Sequence, residues 1–389
     1  MKARHHALLA CALAGLAGAA GAQSTSACLA PGAWYTVESS SPRIAAPEML
    51  LRSVAQREIV LLGEQHDNPM HHAWQLETLA ALHLFRPQMV IGFESFPRRV
   101  QPVLDRWIAG KLTPREFLEQ SEWQKVWNFP PELYLPLFEF ARLNRIPMIA
   151  LNVDRALTEA VNARGWNAVP AELKEGLSRP AAPSREYEDL LFEVFKEHAR
   201  DKTRADPAFR RFVESQTTWD RAMAEALAAR RRPSDPSAPL VIGIMGRGHV
   251  DGGLGVPHQL RDLGEHDVAT LVPVDAQADC GKLRSGMADA LFAAPVVPRE
   301  PAPPPRLGVQ LGMAQGGGVE ITAVTAGSLA ERSGLQHGDR IVALAGAPVS
   351  GAGAVATAVR AQPPGTWLPM QVRRGPETLD IVIRFPPRP

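Results

Sequence analysis

An apolar run that stops abruptly in a dense polar cluster is the feature that most constrains how this chain folds. Residues 59–62 are continuously apolar and few in number, which is typical of a buried strand. Gly63 allows a tight exit, the polar cluster follows, and apolar side chains then recur at helical spacing over residues 73–80. A strand, a polar turn and a helix in this order predict an open α/β sheet with a site at the carboxyl end of the strand.

Four further apolar runs have the length of buried strands, and they lie at 89–93, 148–151, 240–245 and 268–274. Segments with helical periodicity separate them, and the segment at 97–145 forms a helical insert. This alternation predicts an α/β fold with a mainly parallel sheet that is covered on both faces.

Polar side chains follow four of these strands at the point where each strand ends. They are Glu64 with His66, Glu94, Asn152 with Asp154, and Arg247 with His249. Because parallel strands direct their carboxyl ends to one edge of a sheet, we expect these side chains to meet in a single cleft.

The chain has 389 residues, enough for two or three domains, and its formal net charge is +1. A nearly neutral chain has no electrostatic reason to bind nucleic acid, so we expect no such partner. Residues 291–306 are rich in proline, which favours extended backbone, and they predict a linker. The linker would separate an α/β domain at 23–290 from a small β-rich domain at 307–389.

The first 22 residues have the pattern of an export signal. Lys2 and Arg4 precede an apolar run at 7–20, and small residues end the run before a predicted cleavage after Ala22. We therefore expect an exported, periplasmic protein, and the cysteine positions do not favour a lipid anchor. Cleavage would leave Cys28 and Cys280, and in an oxidising compartment an isolated pair predicts a disulfide.

The sequence Gly-x-x-His occurs twice, each time directly after an apolar strand, and ends at His66 and at His249. With Glu94 between the two motifs, this pattern resembles the ChaN-like haem-binding proteins of the Tiki/erythromycin-esterase superfamily. Further matching stretches lie at 61–68, 92–96, 149–152 and 216–224, so the resemblance extends roughly over residues 45–275.

The resemblance implies haem as the cofactor and a role in iron uptake. In that family a tyrosine ligates the iron and the haems lie between two subunits, which implies a homodimer. Tyr134, within the helical insert, is the leading candidate among the three tyrosines, and His71 and His72 complete the expected haem-binding set. As an alternative, His71 caps the following helix or binds an anion at its start.

The wider superfamily suggests an alternative, a metal-dependent hydrolase. His66, His249 and Glu64 would then bind a divalent metal such as Mn, Co or Zn, and leave one coordination position open for water. Glu64 or Glu94 would act as the catalytic general base. A second alternative is a protein without enzymatic activity that serves as a scaffold in the cell envelope.

The C-terminal part resembles a bacterial HtrA-type PDZ domain, most specifically in the run Gly-Leu-x-x-Gly-Asp-x-Ile at residues 334–341. This implies that a peptide C-terminus or an envelope protein binds there. A peptide would add a strand to the edge of the sheet, with free backbone N–H groups near a glycine holding its carboxylate. The residues expected to form this site are Leu307, Gly308, Val309, Leu311, Val355 and Val359.

Overall fold

The computed structural model describes residues 28–38, 41–198, 203–231, 235, 237–296, 305–313, 318–349, 351–363 and 365–386. The chain divides into two compact units, residues 1–297 and residues 298–389. The predicted export signal and half of the predicted linker, residues 297–304, lie outside the described residues. Within the described ranges, no helix has both the length and the apolar character needed to cross a membrane.

The first unit alternates strands with helices. Its strands are β1 (Trp34–Glu38), β2 (Ser41–Ala45), β3 (Ile59–Glu64), β4 (Met89–Pro97), β5 (Met148–Asn152), β6 (Leu240–Gly246), β7 (Val268–Asp275) and β8 (Ala290–Ala294). Its helices are α1 (Pro47–Val54), α2 (Pro69–Phe85), α3 (Gln101–Ile108), α4 (Pro114–Gln120), α5 (Trp123–Val126), α6 (Pro131–Leu143), α7 (Arg155–Arg164), α8 (Arg185–His198), α9 (Pro207–Ala228) and α10 (Val256–Asp262).

The strands form one sheet in the order β2-β1-β8-β7-β3-β6-β4-β5. The pairs from β8 to β5 are parallel, and β1 pairs antiparallel with both β2 and β8. This confirms the predicted α/β class and the mainly parallel sheet, with the helical insert between β4 and β5.

Strand β3 lies in the middle of the sheet and is buried on both faces. Ile59 and Leu61 pack against a core that includes residues of α9 and α10. Val60 and Leu62 pack on the opposite face against a core formed largely by α2, α3 and α6. A strand covered on both sides has no polar face, which explains why its sequence is continuously apolar.

Three edge elements were not predicted from the sequence. β1 and β2 form an antiparallel hairpin at one edge of the sheet. β8 pairs with β7 and β1, and its apolar run at 290–294 is buried. The prediction that the linker starts at residue 291 is therefore wrong. Short edge strands have a weak sequence signal because their pairing depends on partners distant in the chain.

Helix α2 starts where the polar cluster after β3 ends. The Asn68 side chain caps it by accepting a hydrogen bond from the backbone N–H of Met70 at 3.0 Å, and Pro69 occupies the first helical position. Such a start satisfies a free N–H group and fixes where the helix begins. The cap therefore holds the turn that carries His66 between β3 and α2.

A disulfide joins Cys28 to Cys280, whose Cα atoms are 6.1 Å apart, and it closes a sequence separation of 252 residues. This is the pairing that the sequence predicts. Asp279 caps the short 3₁₀ helix Cys280–Lys282, because its side chain accepts from the N–H of Gly281. The bond ties the start of the described chain to the loop between β7 and β8.

The second unit is a small antiparallel β domain. Its strands are β9 (Val309–Met313), β10 (Val319–Val324), β11 (Arg340–Leu344), β12 (Ala347–Pro348), β13 (Trp367–Arg374) and β14 (Glu377–Arg384), and its helices are α11 (Leu329–Arg332) and α12 (Ala352–Arg360). The sheet order is β14-β13-β11-β10-β9, and β12 pairs with β11. Strand β9 forms one edge of the described sheet.

The Gly-Asp pair of the 334–341 run has a structural role in this unit. The Asp339 side chain is fully buried and accepts two hydrogen bonds from Arg374, at 2.7 and 2.8 Å. It also accepts from the backbone N–H of Gln336 at 2.9 Å. Burial raises the pKa of Asp339, but these bonds outweigh that effect and lower it. Asp339 therefore ties the start of β11 to the end of β13.

Candidate functional site

The carboxyl ends of β3, β4 and β6 bring four predicted side chains together. Because β3 and β6 are parallel neighbours, Glu64 lies in register with Gly246, and β4 flanks β6 on its other side. The contacts described below place three further side chains around the ends of these strands, those of His66, Glu94 and His249. The convergence expected from the sequence is therefore present for these four side chains. Asn152 and Asp154 line a cleft together with His66, whereas Arg247 lines a separate cavity.

Glu64 and His66 form the first acid–imidazole pair of the site. The buried Glu64 carboxylate lies 2.5 Å from His66 Nδ1. Burial lowers the pKa of His66, but the hydrogen bond to Glu64 and the charges of both nearby glutamates outweigh burial and raise it. A Cβ atom on Gly246 would lie 2.9 Å from the His66 ring, so the glycine makes room for the imidazole.

His249 and Asp220 form the second pair. His249 Nδ1 lies 2.6 Å from Asp220 Oδ1, and the Tyr187 hydroxyl donates to Asp220 Oδ2 at 2.7 Å. Burial lowers the pKa of His249, but the Glu94 and Asp220 carboxylates outweigh this effect and raise it to about 10. The second imidazole is therefore held by a chain of hydrogen bonds that runs back to α8.

Glu94 lies between the two imidazoles. Its Oε2 accepts from the N–H of Gly246 at 2.6 Å, and its Oε1 lies 3.5 Å from His249 Nε2. Burial raises the pKa of Glu94, but the two histidines and the Gly246 N–H outweigh burial and lower it. Glu94 is thus a buried carboxylate that remains charged, with Oε1 directed toward the imidazole.

Tyr134 does not occupy the position expected of a haem ligand. Its side chain is 2% exposed, and its hydroxyl donates to Glu64 at 3.3 Å within an aromatic core. Burial, with the charge of Glu64, raises the pKa of Tyr134 well above its usual range, which disfavours the phenolate. Tyr35 and Tyr187 are also buried, and their hydroxyls have partners. Tyr134, the leading candidate for the haem ligand, therefore has no accessible hydroxyl in this structure.

The neighbouring histidines of α2 are buried as well. His71 Nδ1 accepts from the N–H of Gln65 at 3.0 Å, and His72 Nε2 lies 3.1 Å from the His66 carbonyl. Burial lowers the pKa of both rings, that of His71 to about 4. Neither fits the predicted haem-binding role, because helical geometry turns both inward instead of into the cleft beside His66.

The predicted metal centre is not assembled. His66, His249 and Glu64 were expected to bind the metal together, but Glu64 Oε1 lies against His66 Nδ1 instead of facing a shared position. Among the residues that the structure describes, no group of three histidine, cysteine or acidic side chains has the arrangement of a metal site. The alternative of a metal-dependent hydrolase therefore gains no support here.

A cleft of about 920 Å³ opens beside His66. Its inner wall is aromatic: Trp127, Phe129 and Trp219 line it, and the first two rings lie 4.7 and 5.1 Å from the His66 ring, centroid to centroid. Trp219 also contacts His249, at 5.2 Å between ring centroids. The outer wall carries charged side chains, namely Arg99, Glu122, Lys125, Asp154, Arg155 and Glu159.

Sequence reasoning gave Asp220 and Tyr187 no role in the site. Asp220 lies within α9 and is fully buried, and Gly255 approaches it so closely that a Cβ there would lie 2.9 Å from Asp220 Oδ1. A buried carboxylate needs a hydrogen-bond or charge partner. In the sequence, an acidic residue within the apolar stripe of α9 indicates such a buried, partnered carboxylate.

The predicted peptide site is only partly exposed. Val309 and Leu311 lie half-buried on β9, and Gly308 has a φ of 81°, which is a left-handed conformation that favours glycine. Val355 and Val359 of α12 are 1% and 4% exposed and belong to the core of this unit, as Leu307 does. Val355 and Val359 were expected to line the peptide site from α12, but both side chains are buried in the core of this unit.

Comparisons with known proteins agree with this division of the chain. The sequence model of the haem-binding uptake family ChaN of the Tiki superfamily matches residues 50–260, and that of a PDZ domain matches residues 320–374. No curated protein matches the chain.

Among solved structures, ChaN of Campylobacter jejuni, reported with cofacial haem binding, is similar over 67% of this chain and 96% of its own, with 16% identity and a TM-score of 0.51. The HtrA3 PDZ domain bound to a phage-derived ligand matches 20% of this chain and 82% of its own, with 26% identity and a TM-score of 0.19. A serine endoprotease from Yersinia pestis matches 21% of this chain and 29% of its own, with 19% identity and a TM-score of 0.19.

Proposed function

Because the chain belongs to the ChaN family of haem-binding uptake proteins in the Tiki superfamily, we propose that its first unit binds haem in the cleft beside His66. The observation that carries the proposal is the Glu64–His66 pair at the inner end of that cleft. Proteins hold haem iron by histidine, among other ligands. A carboxylate on Nδ1 fixes the ring orientation and leaves Nε2 as the ligand atom, while raising its basicity.

The walls of the cleft suit the rest of the porphyrin. Its volume of about 920 Å³ lies at the upper end of the usual range for ligand pockets. Trp127, Phe129 and Trp219 offer flat apolar surfaces for a planar ring. Bound haem would supply an iron centre for transport or storage; the protein residues fix its position and exclude water.

Cations at the outer wall suit the propionates. Arg99 pairs with Asp154 at 2.7 Å and Arg155 with Glu159 at 2.7 Å, and all four side chains are well exposed. Ion pairs of this kind contribute little to stability. A propionate can therefore replace a surface carboxylate at little cost, which would orient the ring in the cleft.

We extend the proposal to the place where the protein acts. The pattern of residues 1–22 and the disulfide both suit an oxidising compartment outside the cytoplasm. In that compartment the first unit would take part in haem or iron uptake. It would act as a homodimer, as the resemblance to the family implies. The PDZ domain would bind a peptide C-terminus or an envelope protein, which would bring the haem-binding unit to a partner.

Haemin titration followed by absorption spectroscopy tests the proposal. We expect a saturable Soret shift for the wild-type chain, lost or strongly weakened in His66→Ala. His266→Ala, at an exposed position outside the cleft, is the control and should bind haem like the wild type. No saturable shift in the wild-type protein, or an unchanged shift in His66→Ala, would contradict the assignment.

A second candidate function rests on the paired imidazoles. Two histidines with a carboxylate on Nδ1, and the charged Glu94 between them, are suited to general acid–base catalysis without a metal. The reaction would be hydrolysis of a small ester or amide that enters the cleft. Release of nitrophenol from nitrophenyl esters, insensitive to chelators and abolished in Glu94→Gln, would support this candidate. Equal release by the variant would exclude it.

A further inference from the structure

Strand β14 forms one end of the sheet in the second unit, and β9 forms the other. A strand at a sheet edge presents backbone N–H and C=O groups that have no partner in their own sheet, and proteins usually shorten or interrupt such strands. The strands at the other ends of the two sheets, β2, β5 and β9, have five residues each, and β2 contains Pro42. β14 has eight residues without proline or glycine, so it is the least protected edge among the described strands.

The apolar side chains of β14 are incompletely covered. Alternate residues of the strand face the core of the unit, and Leu379 and Ile381 among them are only half-buried. The side chains of β13 that face the same core are at most 2% exposed, namely those of Leu368, Met370 and Val372. On the solvent-facing side of β14, Val382 is 42% exposed. A further strand alongside β14 would cover apolar surface on both sides of the sheet.

The solvent-facing side of β14 also carries one charge of each sign. Asp380 and Arg384 lie two residues before and two residues after Val382, and neither side chain forms a hydrogen bond or an ion pair within the described chain. The Arg384 guanidinium lies over Trp367 of β13, 5.2 Å from the ring centroid, which holds the cation on this side of the sheet. The series of acid, valine and base is complementary to itself when a second strand runs antiparallel.

We propose that β14 pairs antiparallel with β14 of a second copy of this chain, about a two-fold axis at Val382. Residues that lie opposite each other in antiparallel strands project to the same face. In this register Asp380 of each copy lies opposite Arg384 of the other, and the two Val382 side chains meet between these ion pairs. On the core side, Ile381 lies opposite Ile383. An axis at Asp380 would instead place two carboxylates opposite each other.

This pairing goes beyond the proposed function. It lies in the second unit, outside residues 50–260 that match the haem-binding family, so it differs from a dimer that holds haem between two first units. It also leaves β9, at the other end of the sheet, unoccupied for a peptide strand. The contact uses the same surface on both copies and is therefore isologous, which closes the assembly at two chains per contact.

Charge exchange followed by analytical ultracentrifugation of the full chain tests the pairing. We expect a reversible dimer for the wild type. Asp380→Arg and Arg384→Asp each place like charges opposite each other and should weaken the dimer at least about tenfold, because the change acts twice across the axis. A mixture of the two variants should associate again, since each supplies the charge that the other lacks, and this result also shows that both are folded. Arg373→Asp, an exposed position on β13 away from the edge, is the control and should have no effect.

Cross-linking tests the register. Val382→Cys places two thiols beside the axis, and a short bifunctional maleimide should join two chains there. Thr378→Cys, also exposed, is the control, because the two Thr378 residues would lie eight strand positions, about 26 Å, apart. Both variants are made together with Cys11→Ser, while Cys28 and Cys280 are joined to each other and do not react.

Three results would overturn the proposal. The first is a wild-type chain that remains monomeric up to about 100 μM, where even a contact of micromolar affinity is filled. That result would leave β14 to a strand of a different protein. The second is a dimer that both charge variants retain, since its interface would lie elsewhere in the chain. The third is equal cross-linking of the two cysteine variants.

Discussion

Glu64 Oε1, on the last residue of β3, lies 2.5 Å from Nδ1 of His66, two positions further along the chain. His66 lies in the turn that directly follows β3, and this turn brings its imidazole back to the carboxylate at the end of the strand. Because Tyr134 also donates to the same carboxylate oxygen, Glu64 is held from both sides. The carboxylate therefore orients His66 toward the cleft.

Replacing Glu64 with Gln should weaken haem binding. The variant keeps the size of the side chain but removes the charge that orients His66 and raises its basicity. A loss of about 10–100-fold in haem affinity is expected for a group that supports a ligand. Haemin titration measures it, with Glu77→Gln, at an exposed position of α2 that does not line the cleft, as the control. Equal affinities of the two variants would show that Glu64 does not support the ligand.

Replacing Tyr134 with Phe should leave the haem spectrum unchanged. The hydroxyl lies in the core and donates to Glu64, so its removal costs about 1 kcal/mol of folding free energy. Absorption spectroscopy of the haemin complex measures the haem spectrum. Urea denaturation measures the change in folding free energy. Loss of an iron–phenolate charge-transfer band in the variant would instead restore Tyr134 as the ligand and require the insert to rearrange.

The first unit should lose stability as the pH rises from about 6.5 to 10. The pKa of His249 is raised to about 10 in the folded state, so the folded protein binds this proton more tightly than the unfolded chain. The contribution of the protonated His249 to the free energy of unfolding is fully present below the pKa of the unfolded state, about 6.5. It is lost as the pH approaches 10. Urea denaturation followed by tryptophan fluorescence at several pH values measures it.

The matched variant for this pH effect is Asp220→Asn, which removes one of the two carboxylates that hold the proton on His249. Its free energy of unfolding should change less over the same pH range. A dependence as steep as that of the wild type would assign the effect to other groups.

Removing the disulfide should destabilise the first unit without altering haem affinity. Cys28 and Cys280 close a sequence separation of 252 residues, and in the entropic description a bond of that span contributes about 5–6 kcal/mol. Urea denaturation of Cys280→Ser measures the loss. The double variant with Cys28→Ser should be no less stable than the single one, and a haemin titration checks that the cleft remains.

Gly308→Ala should destabilise the PDZ domain. Its φ is 81°, and an added Cβ would lie 2.3 Å from Ser328 Cβ, so strain and overlap together cost at least about 1–2 kcal/mol. Gly353→Ala in α12, where a Cβ meets open space, is the control and should be neutral or stabilising. Hydrogen exchange of peptides from β10 and β11 reports on this domain within the full chain. Equal protection in both variants would contradict the assigned strain.

The central strands could be predicted because their signal is local. Each is a continuous apolar run that is buried on both sheet faces, and parallel pairing then places Glu64, Glu94 and His249 at one edge. The role of Asp220 was not predictable in this way. It comes from the middle of α9, and its contact with His249 depends on how α9 packs on the sheet. β8 also escaped prediction, because its pairing requires both β7 and β1.

The sequence by itself determined the α/β class, the PDZ-like second domain and the cysteine pair, because periodicity, motifs and residue counts need no tertiary contacts. Only the tertiary structure decided which polar groups face the cleft. Tyr134 and His71 have suitable chemistry in the sequence, yet packing turns both inward, whereas His66 remains partly exposed at 28% of its side chain. The physical reason is that burial and hydrogen-bond partners depend on neighbours brought together by folding, and these set both the access and the protonation of a side chain.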